Sequence, residues 1–178
     1  MTACSSTRTV KFDGGVKIVG ERINPTGKKR LKQALLENDM AYLLAEGIAQ
    51  QDKGVHLLDV NVGLPGIDEA AMLKTAVTQL QAITNLPLQI DSSNPSAMEA
   101  ALRRYNGKPM INSVSGKQES MAAVFPLAKK YGGGGHHNAG TYTPHVRHPS
   151  VVLRSLRWCF AFVHNQDIGQ GCVVLLRG

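Results

Sequence analysis

The chain has 178 residues, 43% of them hydrophobic, with a net charge of +7 and a pI near 9.5. That is enough for one domain with a real core, and neither a signal peptide in the first fifteen residues nor any membrane-spanning run is expected. The lysines and arginines are scattered and aromatics make up only 5%, so no stacking surface for nucleic acid is expected, while the basic balance suits an anionic small molecule equally well.

Four apolar runs alternate with helical stretches. "VKIVGERIN" (16–24) is the first expected strand, followed by "KKRLKQALLENDMAYLLAEGIAQQDKG" (28–54). In that stretch Leu31, Leu35 and Leu36 fit one helical face, and Tyr42, Leu43, Ile48 and Ala49 fit another, with Asn38 or Asp39 as the cap of the second piece. The basic run "KKRLK" (28–32) reads as the solvated face of a helix start. "VHLLDVNVG" (55–63) is the second strand, and "IDEAAMLKTAVTQLQAIT" (67–84) is an amphipathic helix. "LPLQIDSS" (86–93) is the third strand. "PSAMEAALRRYNG" (95–107) is a helix capped by Asn94 or Ser96 and stopped at Gly107. "KPMINSVS" (108–115) is the fourth strand. "KQESMAAVFPLAKKYGG" (117–133) is a further helix, with Pro126 expected to kink or shorten it.

Strand and helix alternating at this spacing predict a parallel sheet, whose site lies at the carboxyl ends of its strands. The four strands end in Glu21 and Asn24, in Asp59 and Asn61, in Asp91, and in Asn112. A carboxylate at the end of a buried strand must be hydrogen-bonded, paired or wet. Taken singly, each such residue suits the cap of the next helix; taken together, they predict one polar rim.

The composition changes after Gly133. Five of the six histidines and the single tryptophan lie beyond it, with one acidic residue and no lysine. Residues 134–178 read as a tail: "GGGGHHNAGTYTPHVRHPS" has no helical or strand period, and the later "VVLRSLRWCFAFVHNQ" and "CVVLLRG" are apolar without a clear partner. Glycine codons are GGN, histidine CAY, asparagine AAY and alanine GCN. Read one base later, Gly134 to Ala139 can spell Val-Val-Ile-Ile-Met, the buried strand that the alternation demands next. The expectation is a frame-shifted read from this point, which the encoding DNA would test. His136, His137, His145 and His148 have no recognised ligand spacing, so no metal is expected. Cys4, Cys159 and Cys172 lack CxxC or framework spacing and read as reduced thiols of a cytoplasmic protein. "GERINPTGKK" is not a P-loop, since its glycines are wrongly spaced and Lys29 stands where Ser or Thr is required.

Read together, "GERINPTGKKRLKQAL", "LLDVNVGLPGIDEAAML" and "PLQIDSSNPSAMEAALRRYNGKPMINSVSGK" resemble the pterin-binding domain of the cobalamin-dependent methionine synthases and corrinoid-dependent methyltetrahydrofolate methyltransferases, and more distantly dihydropteroate synthase. The resemblance covers roughly residues 16–133, implies that residues 1–15 are the linker before such a domain, and implies a partial (β/α)8 TIM barrel of about four βα units, since a whole one needs about 250 residues. It implies that Asp91 and Asn112 hydrogen-bond a pterin ring, with Glu21, Asn24, Asp59 and Asn61 lining the same rim. It implies methyltetrahydrofolate as substrate, with cobalamin presented by a separate domain or protein. No catalytic residue is assigned, and a half barrel is expected to leave sheet edges open to self-association. Two alternatives stay open: a dihydropteroate synthase-like fragment, and a non-catalytic half barrel.

Overall fold

A computed structural model describes residues 2–12, 15–114, 117–137, 162–164 and 172–175. A small antiparallel pair comes first, β1 (Thr2–Cys4) and β2 (Thr9–Lys11). Then β3 (Val16–Ile23), α1 (Lys29–Leu36), α2 (Met40–Asp52), β4 (Leu57–Val60), α3 (Glu69–Ile83), β5 (Leu88–Asp91), α4 (Pro95–Leu102), β6 (Met110–Val114), α5 (Gln118–Tyr131) and β7 (Gly134–His137) follow in order. Strands β8 (Phe162–His164) and β9 (Cys172–Leu175) complete the described elements. Neighbouring strands from β3 through β7 pair in parallel, in chain order, as consecutive βα units of a barrel do. Strand β9 pairs antiparallel with the far side of β3, and β8 with β9. The architecture is therefore a partial (β/α)8 barrel.

The side-chain period of two gives this sheet two different faces. Leu58, Val60, Leu88, Ile90 and Ile111 face the helices, packing with Leu43, Leu73, Val77, Leu80, Met98 and Leu102. On the other face, Val19, Leu57 and Met110 pack with Ala3, Val10 and Phe12 of the N-terminal segment. That face is apolar at the amino ends of the strands. Further along the same strands it turns polar at Asp59, Gln89, Asp91 and Asn112.

Residues 1–15 were expected as a linker; their described part folds instead as a hairpin seated under the sheet. Its signal is the inward set Ala3, Val10 and Phe12, all buried, within an otherwise polar stretch. Backbone bonds join Cys4 to Lys108 in both directions, at 2.8 and 2.9 Å. The Tyr105 hydroxyl donates to the Cys4 carbonyl at 2.7 Å and accepts the Leu88 N–H at 3.1 Å. Burial pushes that phenol up to about 12. Gly107 lies in this loop and does not stop the helix, which already ends at Leu102. Its φ of 138° and the Cys4 carbonyl, 2.3 Å from where a Cβ would sit, account for a glycine here.

The helices begin where short polar side chains can take up free N–H groups. Asp39 caps α2 through the Tyr42 N–H at 3.0 Å, Asp68 caps α3 through Ala71, and Asn94 caps α4 through Ser96 and Ala97. Pro126 lies inside α5, which continues through it to Tyr131 and closes on Gly132 at a φ of 67°. The sheet also runs past Gly133. Residues 134–137, expected to have no period, form a parallel strand beside β6, pairing Gly134 with Met110 and His137 with Val114. The expected open edge at β3 is paired with β9, and the expected self-association gains no support from that pairing. His145 and His148 lie outside the described residues.

Candidate functional site

Parallel strands carry equivalent positions to the same height. Asp59 pairs in register with Gln89, and Asp91 with Asn112 one step nearer the carboxyl ends. Asp59 and Asn61 share a side of β4 and its continuation, as Gln89 and Asp91 share a side of β5. The polar residues thus stand in two tiers. Asp59 and Gln89 form the lower tier, with Asn61, Asp91 and Asn112 above them.

Hydrogen bonds knit the tiers together. The Asn61 amide donates to Asp91 Oδ2 at 3.0 Å, while its own oxygen accepts the Gly63 N–H at 2.9 Å. The Gln89 amide donates to Asp59 Oδ1. Asn112 and Asp91 also act on the Asp59 carboxyl, the first favouring its ionised form and the second opposing it. Asp59 is 2% exposed. Burial first, and then the neighbouring Asp91, push its carboxyl well above the usual carboxylate range. Burial likewise raises Asp91, with Glu21 and Glu69 adding to the effect and the Asn61 and Asp59 hydrogen bonds opposing it. Two carboxyl groups this close cannot both ionise cheaply, so the pair holds a proton.

The structure therefore brings Asp59, Asn61, Asp91 and Asn112 into one polar cluster, through the Asn61–Asp91 and Gln89–Asp59 hydrogen bonds and the in-register pairing of Asp91 with Asn112. Glu21 belongs with them through its field, which acts on both aspartates, and its own carboxylate pairs with Lys28 at 3.2 Å. Lys28 is not the solvated helix-start residue expected, because its side chain is 13% exposed and turned to Glu21. Asn24 stands at the same rim, but its side-chain oxygen accepts the Thr26 N–H at 3.0 Å and shapes its own turn.

Sequence reasoning missed three further polar groups. Gln89 sits inside an apolar run, and only its two-residue offset from Asp91 signals that it faces the same way. Glu69, the first residue of α3, accepts the Ser92 hydroxyl. Ser92 in turn accepts the Asn94 N–H at 2.9 Å, and its own N–H bonds Asn112 O at 2.9 Å. These bonds hold the turn after β5 against β6, so Asp91 and Asn112 keep their mutual height. Among the described residues, two buried side-chain atoms lack a hydrogen-bond partner, Gln89 Oε1 and Asn112 Oδ1. Both belong to this cluster, and unmet buried acceptors are costly unless something else meets them.

Residues 20–134 match the pterin binding enzyme family. The chain belongs to that family. It is 30% identical over 125 residues to the methionine synthase of Mycobacterium tuberculosis, spanning 67% of this chain and 10% of that protein. It is 32% identical over 110 residues to the methylcorrinoid:tetrahydrofolate methyltransferase of Eubacterium limosum, spanning 62% of this chain and 40% of that one. The chain thus spans only a fraction of the length of these curated relatives. Among solved structures it resembles the dihydropteroate synthase of Thermus thermophilus, with a TM-score of 0.52 and 21% identity, over 76% of this chain and 47% of that one. The Xanthomonas albilineans dihydropteroate synthase in complex with 7,8-dihydropteroate gives a TM-score of 0.50 and 22% identity, over 71% and 48%. These likenesses establish the barrel fold. No described helix is long and apolar enough to cross a membrane.

Proposed function

We propose that this pterin-binding chain is the methyltetrahydrofolate-binding part of a methyltransferase of the kind found in methionine synthesis. The observation that carries the reading is the cluster itself: a carboxylate at Asp91 beside an Asn112 oxygen that is buried and without a partner among the described residues. A pterin edge presents N–H donors side by side, which a carboxylate accepts in parallel, and an amide can match a mixed donor and acceptor edge. Asp91 and Asn112 would hold that edge, Asn61 would fix the Asp91 carboxylate, and Asp59 would support both from beneath. Glu21 and Asn24 would line the outer rim. Transfer of a methyl group from a ring nitrogen is favoured by positive charge there, which calls for proton donation in a site with little bulk water. Cobalamin, held by a separate domain or protein, would supply the methyl acceptor.

The identities to a methionine synthase and a corrinoid methyltransferase support this choice, together with the "GERIN" and "DVNVG" stretches. The dihydropteroate synthase fold neighbours favour a second reading, in which the same cluster holds a pterin for a different transfer. A non-catalytic half barrel is the third. Titrating the folded protein with methyltetrahydrofolate, followed by ligand fluorescence, tests the proposal; saturable binding is expected. Asp91→Ala should weaken it by about 1–3 kcal/mol, since ring donors would lose a charged acceptor. Unchanged affinity in that variant would refute the site, and no saturable binding by folded wild-type protein would leave the non-catalytic reading.

A further inference from the structure

Behind Asp91 lies a buried arrangement that ring contacts alone do not explain. Asp59 has two carboxyl oxygens and sits almost wholly out of water. Oδ1 accepts the Gln89 amide, and Asp91, two residues beyond Gln89 on the same strand, is its carboxyl neighbour. Two neighbouring carboxyl groups, one of them almost wholly out of water, share a site at least cost when one of them carries a proton. The amide of Gln89, fixed to Oδ1, leaves the other oxygen to carry it. Gln89 is 7% exposed, belongs to the same strand as Asp91, and has an unpartnered buried oxygen. Its position in an otherwise apolar strand costs desolvation that packing does not return. An apolar side chain of the same length would fill the space.

We propose that Gln89 is a positioning residue of the pterin site, orienting Asp59 so that it donates its proton to Asp91 and leaves Asp91 the charged acceptor for the ligand. The inference rests on the pterin reading for the ligand but not for the proton. The ionisable and charged groups facing the pair are Glu21 from β3, with its partner Lys28 from the turn before α1, and Glu69 from the start of α3. Among the polar groups, Asn61 follows β4 and Asn112 comes from β6. Glu21 and Glu69 both disfavour a second negative charge here, so the proton is held while Asp91 remains able to bind donors. When the pair loses that proton, Asp91 loses a donor and gains a charged neighbour, and the geometry of the acceptor changes.

The test compares wild-type protein with Gln89→Met and Asp59→Asn, all on the full chain. With 13C-labelled aspartate, one carboxyl carbon should titrate above the ordinary aspartate range in wild type. Its midpoint should move upward by about one pH unit in Gln89→Met, where Asp59 loses a donor that favours its ionised form. The signal should vanish in Asp59→Asn. Methyltetrahydrofolate affinity, measured by fluorescence across the same pH range, should fall on the alkaline side in wild type. That fall should move upward in Gln89→Met and flatten in Asp59→Asn. A Gln89→Met titration superimposable on wild type overturns the proposal, whatever binds. A carbon titration that moves while pterin affinity keeps the wild-type pH profile also overturns it, because Gln89 would then act on Asp59 without acting on the ligand. A moved carbon titration with no wild-type pterin binding overturns the pterin reading, and the role of Gln89 toward a pterin with it. Thermal unfolding of each variant verifies that these readings come from folded protein, with Gln89→Leu replacing Gln89→Met and Asp59→Ser replacing Asp59→Asn should either fail to fold.

Discussion

Asp59 is a carboxyl group almost without water, and its protonation couples the site to stability. In the folded chain its proton affinity is raised, first by burial and then by Asp91. The folded state therefore holds a proton that the unfolded state releases at ordinary aspartate acidity. Raising the pH through that window favours unfolding, so the stabilising contribution is complete below the unfolded value and is lost as pH climbs through the raised folded one. Asp59→Asn keeps the shape and the hydrogen-bonding amide but has no proton to lose. It should be more stable than wild type at neutral pH, with a gap that widens with pH and then levels, as read by urea unfolding at a series of pH values. A constant gap would refute the raised affinity. The sequence made Asp59, Asn61, Asp91 and Asn112 visible because each is a polar residue ending an apolar run. Gln89 was not visible, since one amide inside "LPLQID" looks like a tolerated exception until its neighbour in register is known.

Helices and strands were legible where apolar runs were long enough to show a period. The amphipathic pattern of 67–84 gave α3 nearly to its ends, although Asp68, read as part of the helix, proves to be its cap. Three-residue strands carry no such period, which is why the hairpin was missed. It is held by the Tyr105 hydroxyl, which meets one carbonyl of the hairpin and one N–H of β5. Tyr105→Phe leaves both buried groups without that partner and should cost about 1–3 kcal/mol. Gly107→Ala forces a side chain onto the Cys4 carbonyl and should also loosen the hairpin. Chemical denaturation would measure the first, and hydrogen exchange at residues 2–11 would localise the second. Faster exchange confined to α5 would contradict this assignment. On the other side of the sheet, α4 meets α5 through Glu99, which is bonded to Lys130 at 3.0 Å, Tyr131 at 2.9 Å and Arg103 at 3.1 Å. Those partners draw Glu99 down to about 2, with the Lys130 hydrogen bond the largest cause.

At the scale of the whole molecule, the sheet is a barrel's beginning whose far edge reverses strand direction. Five parallel strands are built in chain order, and then β9 lies antiparallel where the next strand of a closed barrel would run parallel to β3. Strand β7 occupies the position the alternation reserves for a fifth strand, although it reads Gly-Gly-His-His. That is the stretch where a one-base shift restores apolar residues. Sequencing the encoding DNA is expected to reveal an open frame one base away that continues the βα alternation; a stop codon within a few codons would remove the idea. The fold class was legible because helix and strand alternated without interruption as far as Gly133. The chain's end was not, because a sequence without a period gives no physical reason to choose a direction.

The hairpin has a consequence for traffic. Ala3, Val10 and Phe12 cover the inner face of the sheet at the amino ends of the strands and leave its polar part toward the carboxyl ends. A guest bound beside Asp91 would approach from the carboxyl ends, away from the hairpin. A guest seated with its donor edge down would present its opposite edge upward, to whichever visitor arrives second.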